Sequence, residues 1–219
     1  MKTLIFSDTH LTNRFDHQKY KYLKKLINSV DNVIINGDFW DGLSVSFDQF
    51  VKSKWQRLFP ILKRKQAVYI YGNHDFKHMS DERVSLFSVK QTEEYYAETN
   101  PKKLIIRHGH QHTPSIQDKF KNQRLLKLLN NTYESAEWFI LKLFGRGILR
   151  YGLYKSFTYS IHRYAQRHLK NDEILVCGHS HNAVFKPHKK YINCGFIRHG
   201  LAQYLIIENK KIRAVEEKY

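Results

Sequence analysis

Apolar residues along this chain follow two rhythms. Short runs rich in β-branched residues recur at Thr3–Ser7, Val33–Ile35, Ala67–Tyr71, Leu104–Arg107 and Glu173–Cys177. Each stops abruptly at a glycine or a polar residue, which predicts buried strands, because branched side chains fill a pleated, two-sided core. Between the first of these runs the spacing turns helical. His17–Val30 carries Tyr20, Leu23, Leu26, Ile27 and Val30 on one face and lysines on the other, and Phe47–Phe59 predicts a second amphipathic helix closed by Pro60. Asp81–Phe87 and Thr92–Tyr96 predict short helical pieces. The C-terminal part reads as a meander of strands at Ala183–Phe185, Tyr191–Asn193, Gln203–Glu208 and Ile212–Val215, with a hairpin turn at Glu208-Asn209-Lys210-Lys211.

The polar residues that end the strands carry the chemistry. Asp8 and His10, Asp38, Asn73 and His74, His108, and His179 and His181 each follow a predicted strand. Open α/β sheets build their sites at that edge. Gly37 and Gly72 precede Asp38 and Asn73, and a glycine there permits backbone angles that turn the next side chain into a site. Two divalent ions about 3.5–4 Å apart require a shared carboxylate among His, Asp and Asn donors, and this inventory supplies one. A structural zinc site would favour cysteine and a calcium site would avoid histidine. No Gly-x-Ser-x-Gly elbow points to a serine hydrolase.

In this order, Asp8-x-His10, Gly37-Asp38-x-x-Asp41, Gly72-Asn73-His74-Asp75, His108-Gly109-His110 and Gly178-His179-x-His181 resemble the five motifs of the calcineurin-like metallophosphoesterases. The resemblance implies a four-layer α/β/β/α sandwich of two mixed sheets. It implies that Asp8, His10 and His181 hold one metal, that Asn73, His108 and His179 hold the second, and that Asp38 bridges them. His74 becomes the catalytic histidine beside the scissile phosphate, with Asp75 beside it; Asp75 and Asp41 would orient ligands. The implied reaction is in-line hydrolysis at phosphorus by metal-activated water. Two divalent ions are therefore expected, manganese first, with iron, zinc or magnesium also accepted by such donors. His110 and His112 are alternatives to His108 as ligand or substrate contact. His17, His78, His162, His168 and His188 carry no spacing argument, and Arg198-His199, after a turn at Gly195, reads as a solvated loop, with reach to the substrate as the second reading.

Composition adds the partner. At 219 residues with 42% hydrophobic content, residues 1–219 are expected to form one globular domain. The formal charge of +17 calls for an anionic partner: a phosphorylated substrate, a nucleic acid or an anionic membrane. Residues 115–170 lack strand-like alternation and read as a basic helical insertion. It has eleven Lys and Arg against three acids, a local balance of +8, around the apolar run Trp138–Phe144. Trp138, Arg146, Arg150 and Lys155 are the candidate substrate contacts, suited to an acylated phosphate compound at a membrane surface.

Gly37-Asp38-Phe39-Trp40-Asp41 and the insertion also resemble the branch that cleaves the pyrophosphate of UDP-diacylglucosamine. In two places the chain departs from it: that branch often has Gly-Asp after the fourth-motif histidine, and some members have Arg at the position of His74. The alternatives are a nuclease binding a single strand through basic and aromatic residues and a phosphomonoesterase or phosphodiesterase acting on small phosphoesters. A catalytically dead binding scaffold stands last. Cys177 and Cys194 lack CxxC spacing and read as core residues in a reducing compartment. The apolar N-terminus is too short for a signal-peptide core, and no apolar run is long enough to span a bilayer. The expected location is the cytoplasm, with peripheral membrane contact.

Overall fold

The computed structural model describes residues 1–113, 132, 135–140, 143 and 153–219. Among these, twelve strands form two sheets. The first has the order β10-β11-β1-β2-β3-β4, with β12 also paired to β11. Its members are β1 (Lys2–Phe6), β2 (Asn32–Asn36), β3 (Val68–Ile70), β4 (Lys90–Thr92), β10 (Ile197–Arg198), β11 (Leu201–Glu208) and β12 (Lys211–Lys218). The second has the order β5-β6-β7-β9-β8, from β5 (Tyr95–Glu98), β6 (Lys103–Ile106), β7 (Glu173–Cys177), β8 (Val184–Lys186) and β9 (Tyr191–Asn193). Strands β1 to β4 run parallel, as do β6, β7 and β9, while β11, β5 and β8 pair antiparallel.

Side chains on a strand alternate between faces, and here that alternation builds the layers. Leu4, Phe6, Val33, Ile35 and Tyr69 pack under the helices α1 (His17–Asn28), α2 (Phe47–Val51) and α3 (Phe59–Arg64). Ile5, Ile34, Val68, Ile70 and Leu205 face the other way and meet Leu104, Ile106, Ile174, Val176 and Ile192 of the second sheet. The outer face of that sheet, Ile105, Leu175, Cys177 and Tyr191, packs on Ile161 and Ala165 of α4 (Leu153–His168). Three interlayer cores make a four-layer α/β/β/α sandwich. Cys177 and Cys194 are free and buried.

Local chemistry explains where the elements depart from expectation. Pro60 does not close a helix. Ser46 and Gln49 form a capping box that starts α2, and Ser53 Oγ then accepts from Trp55 N to start a separate 3₁₀ turn, Lys54–Leu58. Pro60 lies in the first turn of α3, where its missing N–H costs nothing. The expected helical piece at Thr92–Tyr96 is the crossover between sheets. β4 edges the first and β5 begins the second, because Val68–Ile70 and Leu104–Ile106 offer open ladder positions that outweigh weak helical spacing. The two residues of β10 carried no pattern of their own. At the hairpin, Asn209 and Lys210 both take left-handed φ, 50° and 59°, the requirement of a tight turn with primed geometry. Of the expected helices in 115–170, segment 135–140 and α4 are described; residues 114–131, 133–134, 141–142 and 144–152, among them Arg146 and Arg150, lie outside the described residues. No helix among the described residues is long and apolar enough to cross a membrane.

Candidate metal centre

Five loops leave the C-terminal ends of the parallel strands β1, β2, β3, β6 and β7. Hydrogen bonds tie them together. Asp8 N donates to Gly37 O (3.1 Å) and His10 N to Asp38 O (2.9 Å); Gly178 N donates to His108 O (3.0 Å) and His179 N to Asp8 Oδ2 (3.1 Å). Asp8, His10, Asp38, His179 and His181 all take left-handed φ, between 44° and 62°. Such backbone costs about 1 kcal/mol or more for each non-glycine residue, and it aims consecutive side chains out of the strand alternation. The expected freedom of the glycines accounts for Gly37, at φ +82°, but Gly72 has no positive φ. Its role is close approach: a Cβ there would stand 2.2 Å from Asp38 Oδ1.

The side chains converge as two clusters. In one, Asp8 Oδ1 lies 3.2 Å from His181 Nε2 and 3.9 Å from His10 Nε2, and the two imidazole nitrogens are 3.3 Å apart. In the other, Asn73 Oδ1 is 3.1 Å from His108 Nε2 and 2.7 Å from His179 Nδ1. Asp38 sits between them: its Oδ2 is 3.2 Å from His108 Nε2 and 3.6 Å from His10 Nε2, while Oδ1 accepts from His74 N. Donors bound about 2.1 Å from one ion stand about 3–3.5 Å apart, so these spacings suit cations. Asp8 Oδ1 supports the fit further, being buried with no hydrogen bond among the described residues. The outer ring nitrogens are committed elsewhere. His108 Nδ1 donates to Asn36 O (2.8 Å), and His179 Nε2 pairs with Thr113 Oγ1 (2.7 Å). Such partners fix which nitrogen faces an ion.

His74 pairs through Nδ1 with buried Asp41 (3.0 Å) and packs edge-on against His10. Asp75, expected beside His74 and as a residue that orients ligands, lies behind the site. Its carboxylate is fully buried and accepts from the backbone N–H of Asp38 (3.0 Å), Phe39 (2.7 Å) and Gly72 (2.7 Å), so it braces two loops from behind. His110 packs against Phe76 and against His108 and His179 of the second cluster, and His112 stacks on Tyr164 at 3.6 Å. Lys155 is exposed on α4, lining a small pocket with Tyr159, His162 and Lys186, none of which belongs to the clusters.

The electrostatics call for positive charge. Burial alone would raise the carboxyls of Asp8 and Asp38, but the surrounding imidazoles hold both well below the usual carboxylate range. Burial pulls His108 and His181 down; Asp38 outweighs it at His108, lifting it to about 9, and Glu137 with Asp8 lifts His181 to about 10. Burial dominates at His10, pulled down to about 3, and at His179. The same negative field that raises these two imidazoles favours a divalent cation once they are deprotonated.

Glu137 was missed by sequence reasoning, where it was one of three acids in a basic stretch. It is 1% exposed, and its Oε1 lies 2.7 Å from His181 Nδ1. Arg198, expected in a solvated loop, is buried in β10 and pairs with Glu137 at 3.0 Å, and His199 Nε2 lies 3.3 Å from the same carboxylate. No local pattern marks a pairing across 44 residues. Beside it runs a groove of about 1110 Å³ whose lining includes Asn13, Arg14, Ser44, Trp138, Phe139 and His199. Trp138 stands 45% exposed at its wall.

The family profile described as calcineurin-like phosphoesterase matches residues 1–183. The chain belongs to the calcineurin-like phosphoesterase family. It is thereby a hydrolase of phosphoester bonds, and the family implies divalent metal ions, for which these clusters provide donors. Among solved structures, the phosphoesterase Yfce from E. coli superposes with a TM-score of 0.53 at 16% identity, covering 98% of each chain. Vps29 from Entamoeba histolytica, complexed with zinc, gives 0.45 at 13% identity, covering 100% of this chain and 99% of its own. The first likeness shows the fold. No curated protein matches the chain by sequence.

Proposed function

We propose that the two clusters hold two divalent cations, manganese by preference, with iron, zinc or magnesium as alternatives, and that the substrate is a nucleotide- or lipid-linked pyrophosphate resembling UDP-diacylglucosamine. Asp8, His10 and His181 hold one cation; Asn73, His108 and His179 hold the other. The observation that carries this reading is Asp38 Oδ2, which lies between a nitrogen of each cluster at 3.2 and 3.6 Å. Such a pair of cations, when bound, lowers the pKa of water and neutralises phosphoryl oxygens. With its Nδ1 paired to Asp41, His74 serves the leaving oxygen through Nε2, stabilising its charge or protonating it. Asp75 positions Asp38 through the backbone and does not touch substrate.

The size and lining of the groove support a bulky substrate. About 1110 Å³ is far more than a phosphate requires, and the aromatic wall of Trp138 and Phe139 with Arg14 suits an apolar or aromatic group carried on an anion. Exposed Trp138, Phe139 and Leu143 also suit peripheral contact with an anionic membrane, where an acylated substrate resides. The test is a substrate panel with Mn²⁺: UDP-diacylglucosamine in detergent, nucleotide pyrophosphates, cyclic dinucleotides and single-stranded DNA. Preferential, chelator-sensitive turnover of the lipid-linked pyrophosphate is expected. Preference for DNA would replace this reading with a nuclease, and inactivity on every phosphate ester would remove catalysis.

A further inference from the structure

We propose that Glu137 is a positioning residue of the metal centre: it orients His181 and so makes the inserted helical segment 135–140 a working part of the Asp8/His10/His181 site. The inference rests on the two-cation reading above. A buried carboxylate costs several kcal/mol unless it is fully paired, and Glu137 is paired on both oxygens. Oε1 accepts from His181 Nδ1 at 2.7 Å; Oε2 accepts from Arg198 Nη1 at 3.0 Å and lies 3.3 Å from His199 Nε2. With Nδ1–H directed at Glu137, the lone pair of His181 lies on Nε2, the atom that faces Asp8 Oδ1 and His10 Nε2. His108 finds its orienting partner in the core strand β2 at Asn36, and His179 finds its own at Thr113. His181 draws its partner from a segment 44 residues away in sequence.

Two consequences follow. The Asp8/His10/His181 site depends on the insertion, while the Asn73/His108/His179 site does not depend on Glu137. The same segment carries Trp138 and Phe139 into the groove wall, so Glu137 ties the wall to the metal centre. Because coupling is reciprocal, a cation at the first site holds the groove wall in place.

The experiment measures Mn²⁺ affinity and stoichiometry in the full chain by calorimetry and by electron paramagnetic resonance, for wild type, Glu137→Ala, His181→Ala and the double variant. Glu137→Ala is expected to weaken one of two sites by about 10–100-fold and leave the other unchanged, as removal of a ligand's orienting partner does. In the double variant, Glu137→Ala should add little to His181→Ala, since both act on one ligand. Unchanged affinity at both sites, equal weakening of both, or full additivity with His181→Ala would overturn the proposal. Should Glu137→Ala not fold, Glu137→Asp keeps the charge, shortens the reach to His181 by one methylene, and carries the same expectation. Wild-type protein binding fewer than two cations would instead remove the two-cation reading itself.

Discussion

At the scale of the residue, the site is built from side chains whose second atom is already spoken for. His74 is held by Asp41, His108 by Asn36 O, His179 by Thr113 and His181 by Glu137. Their remaining nitrogens therefore have assigned jobs, and the jobs separate by experiment. His74→Ala should lower kcat by about 10²–10⁴-fold, the usual share of general acid–base assistance, with both cations still bound. Metal analysis beside steady-state kinetics checks this, and loss of a cation would move His74 into the ligand set. Gly178 offers the opposite case. A Cβ there would stand 2.3 Å from Ser7 Oγ and 2.4 Å from Asp8 Oδ2. Gly178→Ala should cost about 1–3 kcal/mol in urea unfolding and weaken Mn²⁺ binding. A variant of wild-type stability and affinity would show that the loop has slack the geometry does not suggest.

At the scale of the element, each helix is a lid on one sheet face, and its hold is a few apolar contacts. α4 is attached to the second sheet through Ile161 and Ala165, both wholly buried, against Ile105, Leu175 and Tyr191. It also reaches the loop carrying the ligands, where Thr158 Oγ1 donates to Ser180 Oγ and accepts from Asn182 Nδ2. Ile161→Ala should destabilise the protein by about 2–5 kcal/mol, read as a lower urea midpoint at unchanged slope. A cost under 1 kcal/mol would mean that α4 is not anchored by this core. Local sequence read the core strands and α1 well, the strands because each is an unbroken β-branched run stopped by a glycine or polar residue, and α1 because its 3.6-residue period is sustained over twelve residues. It misread Thr92–Tyr96 and Pro60, where few residues carry the signal and neighbouring ladders or caps decide.

At the scale of the whole molecule, metal loading competes with protons. His108 and His181 sit near 9 and 10, above the ordinary imidazole value, because Asp38, Glu137 and Asp8 outweigh burial. In the metal-free protein these two groups stabilise the fold fully below about pH 6.5, the unfolded imidazole value. That contribution is lost as pH rises through about 9 to 10. Cations bind the deprotonated rings, so the trend inverts on loading: Mn²⁺ affinity should rise with pH, by about tenfold per pH unit for each proton displaced. The thermal shift on adding Mn²⁺ should grow likewise between pH 6 and 8. A shift independent of pH would mean that these imidazoles are not ligands. Chelation should abolish hydrolysis, and restoring Mn²⁺ should recover it.

The five strand-end motifs, their order and their donor chemistry were written in the sequence. A ligand needs its residue type at a strand end, and both features are local. The sequence also carried the unbroken apolar runs of the core strands, but not which of their residues faces which core. What only the tertiary structure decided is which outer nitrogen each imidazole commits and to whom. Glu137, Arg198 and Thr113 come from segments that no periodicity joins to His181 or His179. A buried ion pair is selected by the space two distant segments share and by the cost of leaving either charge alone there, and that space exists only once the sheets have closed.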